Sequence, residues 1–292
     1  MMPRIQCPSC GDIQARSWYS ARRSDTKAGC YGSRRLGVPN PHGALYLCPQ
    51  CGWGMQHPLP QSSELQSLYH GLSEQSYLED ASTRMMQFER ELITLRRLHG
   101  KEGASLLDFG CSYGLMLDAA RNHDMNAVGL ELGTQQVAHC LNRGLDVRLG
   151  GLEKLEPEEQ FDFIIAWDVL EHVLDPLDTL RSLRDHMNKM GIISLVVPDR
   201  GSHIARLLGE RWWSILDLHL HYPTRSGMKN VLKQSGFDVM EISTHPKLAS
   251  PRLLIEWIPF RRLRSMLSPL IRGSWHLTID PRDQMRIHAR AV

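Results

Sequence analysis

Hydrophobic positions follow two rhythms across residues 101–244. Short apolar runs alternate with stretches in which apolar side chains return every third or fourth residue, the signatures of buried strands and amphipathic helices. The runs lie at Leu106-Leu107, 127–132, 146–149, 161–167, 192–197 and 239–243. Helical spacing fills the gaps, ending near His123 after the first run and covering 134–143, 177–190 and 224–235. Thr134 is placed to cap the start of its helix. The run FDFIIAW at 161–167 is almost wholly apolar, as a central parallel strand should be. This alternation predicts an α/β, doubly wound sheet with its ligand at the carboxyl ends of the strands. Ahead of it, Pro58-Leu59-Pro60 reads as a hinge. Beyond the hinge, Leu65, Leu68, Tyr69 and Leu72, then Met85, Phe88, Leu92, Leu95 and Leu98, predict two amphipathic helices that pack on the main domain or close over a ligand.

A chain of 292 residues has room for one large domain and something smaller. Its net charge of +2 gives no reason to expect nucleic acid. No apolar run approaches the roughly 18 residues of a membrane span, and MMPRIQCPSC lacks the apolar core of a signal peptide. The expected compartment is the cytoplasm, where thiols stay reduced.

Cysteine changes the picture at the N-terminus. Cys7-Pro-Ser-Cys10-Gly and Cys48-Pro-Gln-Cys51-Gly share the pattern C-P-x-C-G. Each Pro and Gly makes a tight knuckle that turns backbone N–H groups toward sulfur, and two knuckles supply the four soft ligands of a structural zinc site. A metal clip suits the glycine- and arginine-rich stretch between them, which has little core of its own. Cys30, His42 and His57 are possible extra ligands, but the preferred reading leaves them as bystanders. A thioredoxin-like redox pair would need a neighbouring βαβ pattern, which is lacking here.

Candidate chemistry gathers at the strand tips. In LLDFGCSYG, 106–114, a buried strand meets a glycine loop and then a helix, which lets backbone approach a nucleotide-like ligand. Many α/β folds hold such a turn for packing alone. Asp108 at the strand end would repel a pyrophosphate and attract a sulfonium or ammonium. Glu131 follows about twenty residues past the loop, where a carboxylate can hold both ribose hydroxyls. Asp168, ending the 161–167 strand, contacts a ligand or caps the next turn. His172 is the first choice for a general base, against a plain role in starting a helix. His219 and His221 alternate with leucines and could face an acceptor together, or form a solvated pair; a metal reading of them lacks an obvious third ligand.

LLDFGCSYG, VGLEL, the GGLEKL turn and FDFIIAWDVLEHV followed by DPL together resemble the class I S-adenosylmethionine-dependent methyltransferases, most closely the ubiquinone-biosynthesis-like branch. RLLGERWW at 206–213 and HLHYPT at 219–224 resemble that branch's substrate side. The resemblance covers roughly residues 101–244. It implies a Rossmann-like seven-stranded methyltransferase sheet whose last strand, near 285–289, forms an antiparallel hairpin. It also implies that Asp108, Gly110 and Gly114 flank the methionine part of the cofactor, with Ser112 in the same loop. Glu131 would hold the ribose, the Gly151-Leu152-Glu153 turn would line the adenine, and Asp168 would sit beside the reacting centre. Ser112 stands where the family more often has glycine, which is tolerable if its φ is ordinary, and its hydroxyl could add a hydrogen bond.

The expected organisation is a zinc-ribbon-like segment at 1–57, a helical linker or lid at 58–100 and a methyltransferase domain at 101–292. Within the last, 246–279 exceeds an ordinary hairpin and mixes apolar residues with Arg252, Arg261, Arg262, Arg264 and Arg272. It predicts a cap helix with snorkelling arginines, or a basic element making weak membrane-surface contact through 252–272. The expected function is methyl transfer from S-adenosyl-L-methionine to oxygen or carbon of a small-molecule or glycan-type acceptor. Cysteine knuckles ahead of such a domain also resemble sugar-nucleotide C-methyltransferases, which usually carry a further C-terminal domain. Two rivals come from other classes. An NAD(P)-linked oxidoreductase is disfavoured by the G-x-x-x-G spacing and by Asp108; a non-catalytic zinc scaffold would keep the fold and bind cofactor without turnover.

Overall fold

The structure is a computed structural model that describes residues 4–22, 39–70, 77–78, 80–100, 104–249, 266 and 277–292. The N-terminal part contributes three short strands, β1 (Arg16–Tyr19), β2 (Leu45–Leu47) and β3 (Gly54–Gln56), followed by helices α1 (Ser62–His70) and α2 (Ala81–His99). The α/β part then runs β4 (Ser105–Phe109), α3 (Leu115–Asn122), β5 (Asn126–Glu131), α4 (Thr134–Leu141), β6 (Val147–Leu149), β7 (Phe161–Trp167), α5 (Pro176–Asp185) and β8 (Met187–Pro198). It continues through α6 (His203–Leu208), β9 (His221–Tyr222), α7 (Arg225–Gln234), β10 (Phe237–Thr244), β11 (Lys247–Ala249), β12 (Leu277–Ile279) and β13 (Gln284–Ala291).

Seven strands make the main sheet in the order β10-β13-β8-β7-β4-β5-β6. Only β13 is antiparallel to its neighbours, β8 and β10, as the resemblance implied. Strand β7 earns its central position by burial on both faces, with Phe163, Ile164, Ile165 and Ala166 at most 1% exposed. Its single carboxylate, Asp162, is buried but satisfied: it accepts hydrogen bonds from the Ser105 backbone (3.0 Å) and hydroxyl (3.2 Å) and from Asn188 (2.9 Å). One face of the sheet packs against Phe88, Leu92 and Leu95 of α2 and the apolar side of α3. The other packs against α5 and α7 and, in the same apolar cluster, Ile5, Cys7, Trp53 and Met55 of the N-terminal part. That part is joined to the rest by hydrogen bonds as well, since β3 pairs with β9 in a four-stranded sheet, β1-β2-β3-β9.

Two local expectations are corrected. Helix α5 stops at Asp185, not near residue 190, because Met187 already pairs with Phe161 and the chain bulges before Ile192 rejoins the ladder opposite Phe163. Met187 keeps helical spacing from Leu183 while serving as a strand residue, which is why the pattern misled. Helix α4 is capped by Gly133 rather than Thr134. Glu91 lies on the buried face of α2, three residues after Phe88 and four before Leu95, and is 0% exposed. It accepts hydrogen bonds from Ser194 (2.6 Å) and Arg286 (3.2 Å) and pairs with His288 (2.5 Å). Removing one member of such a buried group strands the others, so Glu91→Ala is expected to destabilise the fold by about 3–5 kcal/mol, measured as the shift of the urea midpoint.

Residues 246–249 and 277–279 form the ends of the long excursion, paired antiparallel as β11 and β12. The rest of the proposed cap and its arginines lie outside the described residues, as do Cys30 and Leu72. No helix among the described residues is long and apolar enough to cross a membrane.

Candidate active site

The glycine loop after β4 is built as its sequence demands. Gly110 has φ of +83°, and a Cβ there would come within 2.6 Å of Val169. Gly114, at φ +73°, meets Leu145 and Cys140 instead, so its small size serves packing beneath the loop. Ser112 does not have the ordinary backbone expected of it: its φ is +46°, and its buried hydroxyl has no hydrogen-bond partner among the described residues. A left-handed non-glycine residue costs about 1–2 kcal/mol. Ser112→Gly is therefore expected to raise stability by about 1 kcal/mol, read as an increase in Tm.

Glu131, ending β5, locks this loop in place. One carboxylate oxygen accepts the Ser112 N–H (2.8 Å) and the other the Gly133 N–H (2.7 Å). Beyond β7, Asp168 accepts a hydrogen bond from Gln284 of β13 at 2.6 Å. The turn that follows carries Glu171 and His172. The His172 Nδ1 donates to the Leu218 carbonyl at 2.9 Å in the tautomer this contact requires, and its ring stands edge-to-face against His219 with centroids 4.6 Å apart.

Between these elements lies a cavity of about 330 Å³, within the range of small-molecule sites. Gly110, Ser112, Glu131 and Gly151 line one end, and Asp168, Glu171, His172 and His219 the other. Tyr69, Trp167 and Trp213 supply aromatic wall, while Arg84 and Lys247 bring positive charge. The remaining expected cofactor residues do not line this space. Asp108 is buried behind the loop, 5% exposed. Leu152 and Glu153 lie outside, where Glu153 accepts the Gly151 N–H. His219 and His221 part company: His221 is turned into the core, accepting from the Trp53 indole (3.4 Å) and facing the Leu174 carbonyl (3.3 Å). Both its ring nitrogens are engaged away from the cavity, so it is not positioned as a base.

Electrostatics separates the groups further. Burial, and then the charge of Glu131, push Asp108 up to about 8. Burial also raises Glu131, against the backbone N–H groups that favour its ionised form. Glu171 is pushed well above the usual carboxylate range, mainly by burial and then by Asp168, and neither of its oxygens has a hydrogen-bond partner among the described residues. His172 moves the other way, lowered by burial to about 4, so it is a neutral imidazole at neutral pH rather than a group poised to titrate there. Glu171 is the residue that sequence reasoning passed over. Its only signal was adjacency to His172 at a strand tip, and the same tripeptide reads equally well as a helix start.

Two clusters could hold a metal. The ligand atoms of Glu171, His172 and His219 lie within 4.8 Å of one another, and so do the sulfurs of Cys7, Cys10, Cys48 and Cys51. Tetrahedral coordination at a metal–sulfur distance of about 2.3 Å places sulfurs about 3.8 Å apart; the closest pairs here are 3.4 Å (Cys10–Cys48) and 3.5 Å (Cys7–Cys51). The knuckles close through Gly11 N–H to Cys7 O and Gly52 N–H to Cys48 O, both glycines at φ above +70°. The cysteine set therefore fits a tetrahedral thiophilic ion. His42 is bound up with Glu210 and the Gly43 carbonyl instead.

The family profile described as "Methyltransferase domain" matches residues 77–242, more than half of the chain. The chain belongs to this family. Among curated relatives of the methyltransferase domain, the ubiquinone biosynthesis O-methyltransferase of Bradyrhizobium sp. is 30% identical over 106 residues, covering 34% of this chain and 40% of the relative. That of Ruegeria pomeroyi is 30% identical over 175 residues, covering 53% and 67%. The chain spans about half the length of the curated relatives it matches. Among solved structures, the plantazolicin methyltransferase BpumL in complex with SAH aligns over 80% of this chain and 91% of its own, with a TM-score of 0.50 and 14% identity. A SAM-dependent methyltransferase from Archaeoglobus fulgidus aligns over 74% and 100%, with a TM-score of 0.50 and 18% identity. At such identities these structures share the fold.

Proposed function

We propose that the chain is an S-adenosylmethionine-dependent O-methyltransferase that acts on a hydroxyl of a small aromatic acceptor and holds a structural zinc in its four cysteines. The observation that carries this reading is one cavity with Glu131 at one end and Glu171 at the other. The curated relatives' name, an O-methyltransferase of ubiquinone biosynthesis, supports the choice of oxygen. The aromatic wall of Tyr69, Trp167 and Trp213 favours a flat acceptor.

When bound, S-adenosylmethionine supplies an electrophilic methyl group on a positively charged sulfur. Glu131 would accept the ribose hydroxyls, with the backbone of Gly110 and Gly151 lining the same cavity. Asp108 and Glu131, disfavoured as anions by burial, would gain a cationic neighbour that offsets it. Glu171 takes the acceptor's hydroxyl proton as the oxygen attacks, and its raised pKa makes it a stronger base than an exposed carboxylate. Neutral His172, with His219 beside it, borders the same proton. The aromatic side chains exclude water, and holding the two reactants in line provides much of the rate.

Calorimetry with S-adenosylhomocysteine and with NADH tests the cofactor: binding of the first and not the second is expected. Labelled methyl transfer onto simple catechols, sugar nucleotides and lipid-linked glycans then tests the acceptor. Incorporation into the catechols alone is expected, whereas label in a sugar nucleotide would replace this acceptor class.

A further inference from the structure

The four cysteines stand apart from the cavity, yet the segment they shape is fastened to one side of it. Knuckle backbone is tied directly to the domain: Thr224 Oγ1 donates to the Cys51 carbonyl (3.0 Å), Arg200 to the Gly52 carbonyl (2.9 Å), and Ser9 Oγ to the Gly227 carbonyl (3.0 Å). From Gly52 the chain passes straight into Trp53 and β3. The Trp53 indole, 1% exposed, donates to His221. Met55 pairs with His221, and the Gln56 N–H donates to the Leu220 carbonyl at 2.8 Å.

The opposite side of β9 is held by the active site itself. The N–H groups of Leu220 and His221 both donate to the Glu171 carbonyl, at 2.8 and 3.1 Å. Leu218 receives His172, and His221 faces Leu174. A second strut joins Asn40 to the carbonyl of Trp213, a cavity residue. The two-residue strand β9 is thus gripped between β3 and the 171–174 turn. His219 and Trp213 lie on a stretch with little regular structure of its own between α6 and α7. Among the described residues, the hydrogen bonds from 4–57 to the rest of the chain run to residues between 200 and 234. Glu131 and the glycine loop, by contrast, rest on β4 and β5.

We propose that the metal-loaded four-cysteine centre is the mount of the acceptor wall: through Trp53, β3 and His221 it fixes His219 and the Glu171–His172 turn, and it governs acceptor use rather than cofactor binding. The functional half of this statement rests on the methyl-transfer reading; the mechanical half does not. Trp53 and His221 are positioning residues, since neither lines the cavity.

The test uses the full chain, zinc-loaded and after stripping with a mercurial and a chelator, together with Cys51→Ser and His221→Gln. Hydrogen exchange read by mass spectrometry needs no acceptor. Stripping, Cys51→Ser and, in the zinc-loaded chain, His221→Gln are expected to accelerate exchange in 216–222 and 168–174 while leaving 105–131 protected. The affinity for S-adenosylhomocysteine is expected to stay within about twofold, while kcat/KM for a catechol falls about 10- to 100-fold, as a misplaced site does. Faster exchange confined to 4–22 and 45–57 would overturn the proposal, and so would an unchanged 216–222 in His221→Gln. Parallel loss of protection in 105–131 would also overturn it, because the centre would then stabilise the whole fold. If the exchange pattern appears but no acceptor is methylated, the mount stands and the methyl-transfer reading falls.

Discussion

Glu171→Gln is expected to lower kcat for methyl transfer by about 10²- to 10⁴-fold, the usual worth of a positioned base. The substitution keeps the shape of a side chain that is 1% exposed and touches the cavity, so affinity for S-adenosylhomocysteine should change by no more than about twofold. The pH profile distinguishes loss of a base from loss of shape. Burial raises the Glu171 carboxyl well above its ordinary range, so parental activity should climb with pH through that raised value as the base loses its proton. The Gln variant has no such group, and its residual activity should lack that acid limb. A retained limb would move the base elsewhere. His172 cannot supply it near neutral pH, because burial lowers it to about 4.

Asp108→Asn is expected to stabilise the free protein and weaken its hold on a cationic cofactor. The buried carboxyl titrates at about 8, against about 3.9 in an unfolded chain. A group raised in this way contributes its full stability below about pH 4 and loses it as pH climbs to about 8. The amide has no such dependence, so the Tm advantage of Asn should widen between about pH 5 and pH 8. The same change removes a negative charge beneath the loop. Affinity for S-adenosylmethionine should fall at least about tenfold at alkaline pH, and affinity for the neutral-sulfur S-adenosylhomocysteine should fall less. A constant Tm difference across that range would mean that Asp108 is already ionised in the free protein.

Sequence periodicity exposed the sheet because its strands are buried on both faces: FDFIIAW can hardly be anything but a central strand. The glycine loop and Glu131 were legible for a similar reason, since backbone geometry there demands particular residues at particular spacings. The rest depends on partners distant in sequence. His219 and His221 look equivalent in HLHY, and only the pairing of β3 with β9, across more than 160 residues, turns one to the cavity and the other to Trp53. Glu91 has the spacing of the buried face, three residues after Phe88 and four before Leu95, but its partners Ser194, Arg286 and His288 come from β8 and β13. Asp108 showed the converse. Its charge sense was readable from its place before the loop, but its depth behind the loop was not.

The long excursion between β11 and β12 departs and returns through a single antiparallel pair, with Thr244 hydrogen-bonded to Asp280 at 2.6 Å across its base. Lys247 and Pro281, at that base, border the cavity. Closing a loop whose ends are already clamped depends weakly on its length, each doubling adding only about 0.6 kcal/mol. A change in the number of residues between Ala249 and Leu277 is therefore expected to cost the sheet little, while altering chain that enters and leaves beside the cavity.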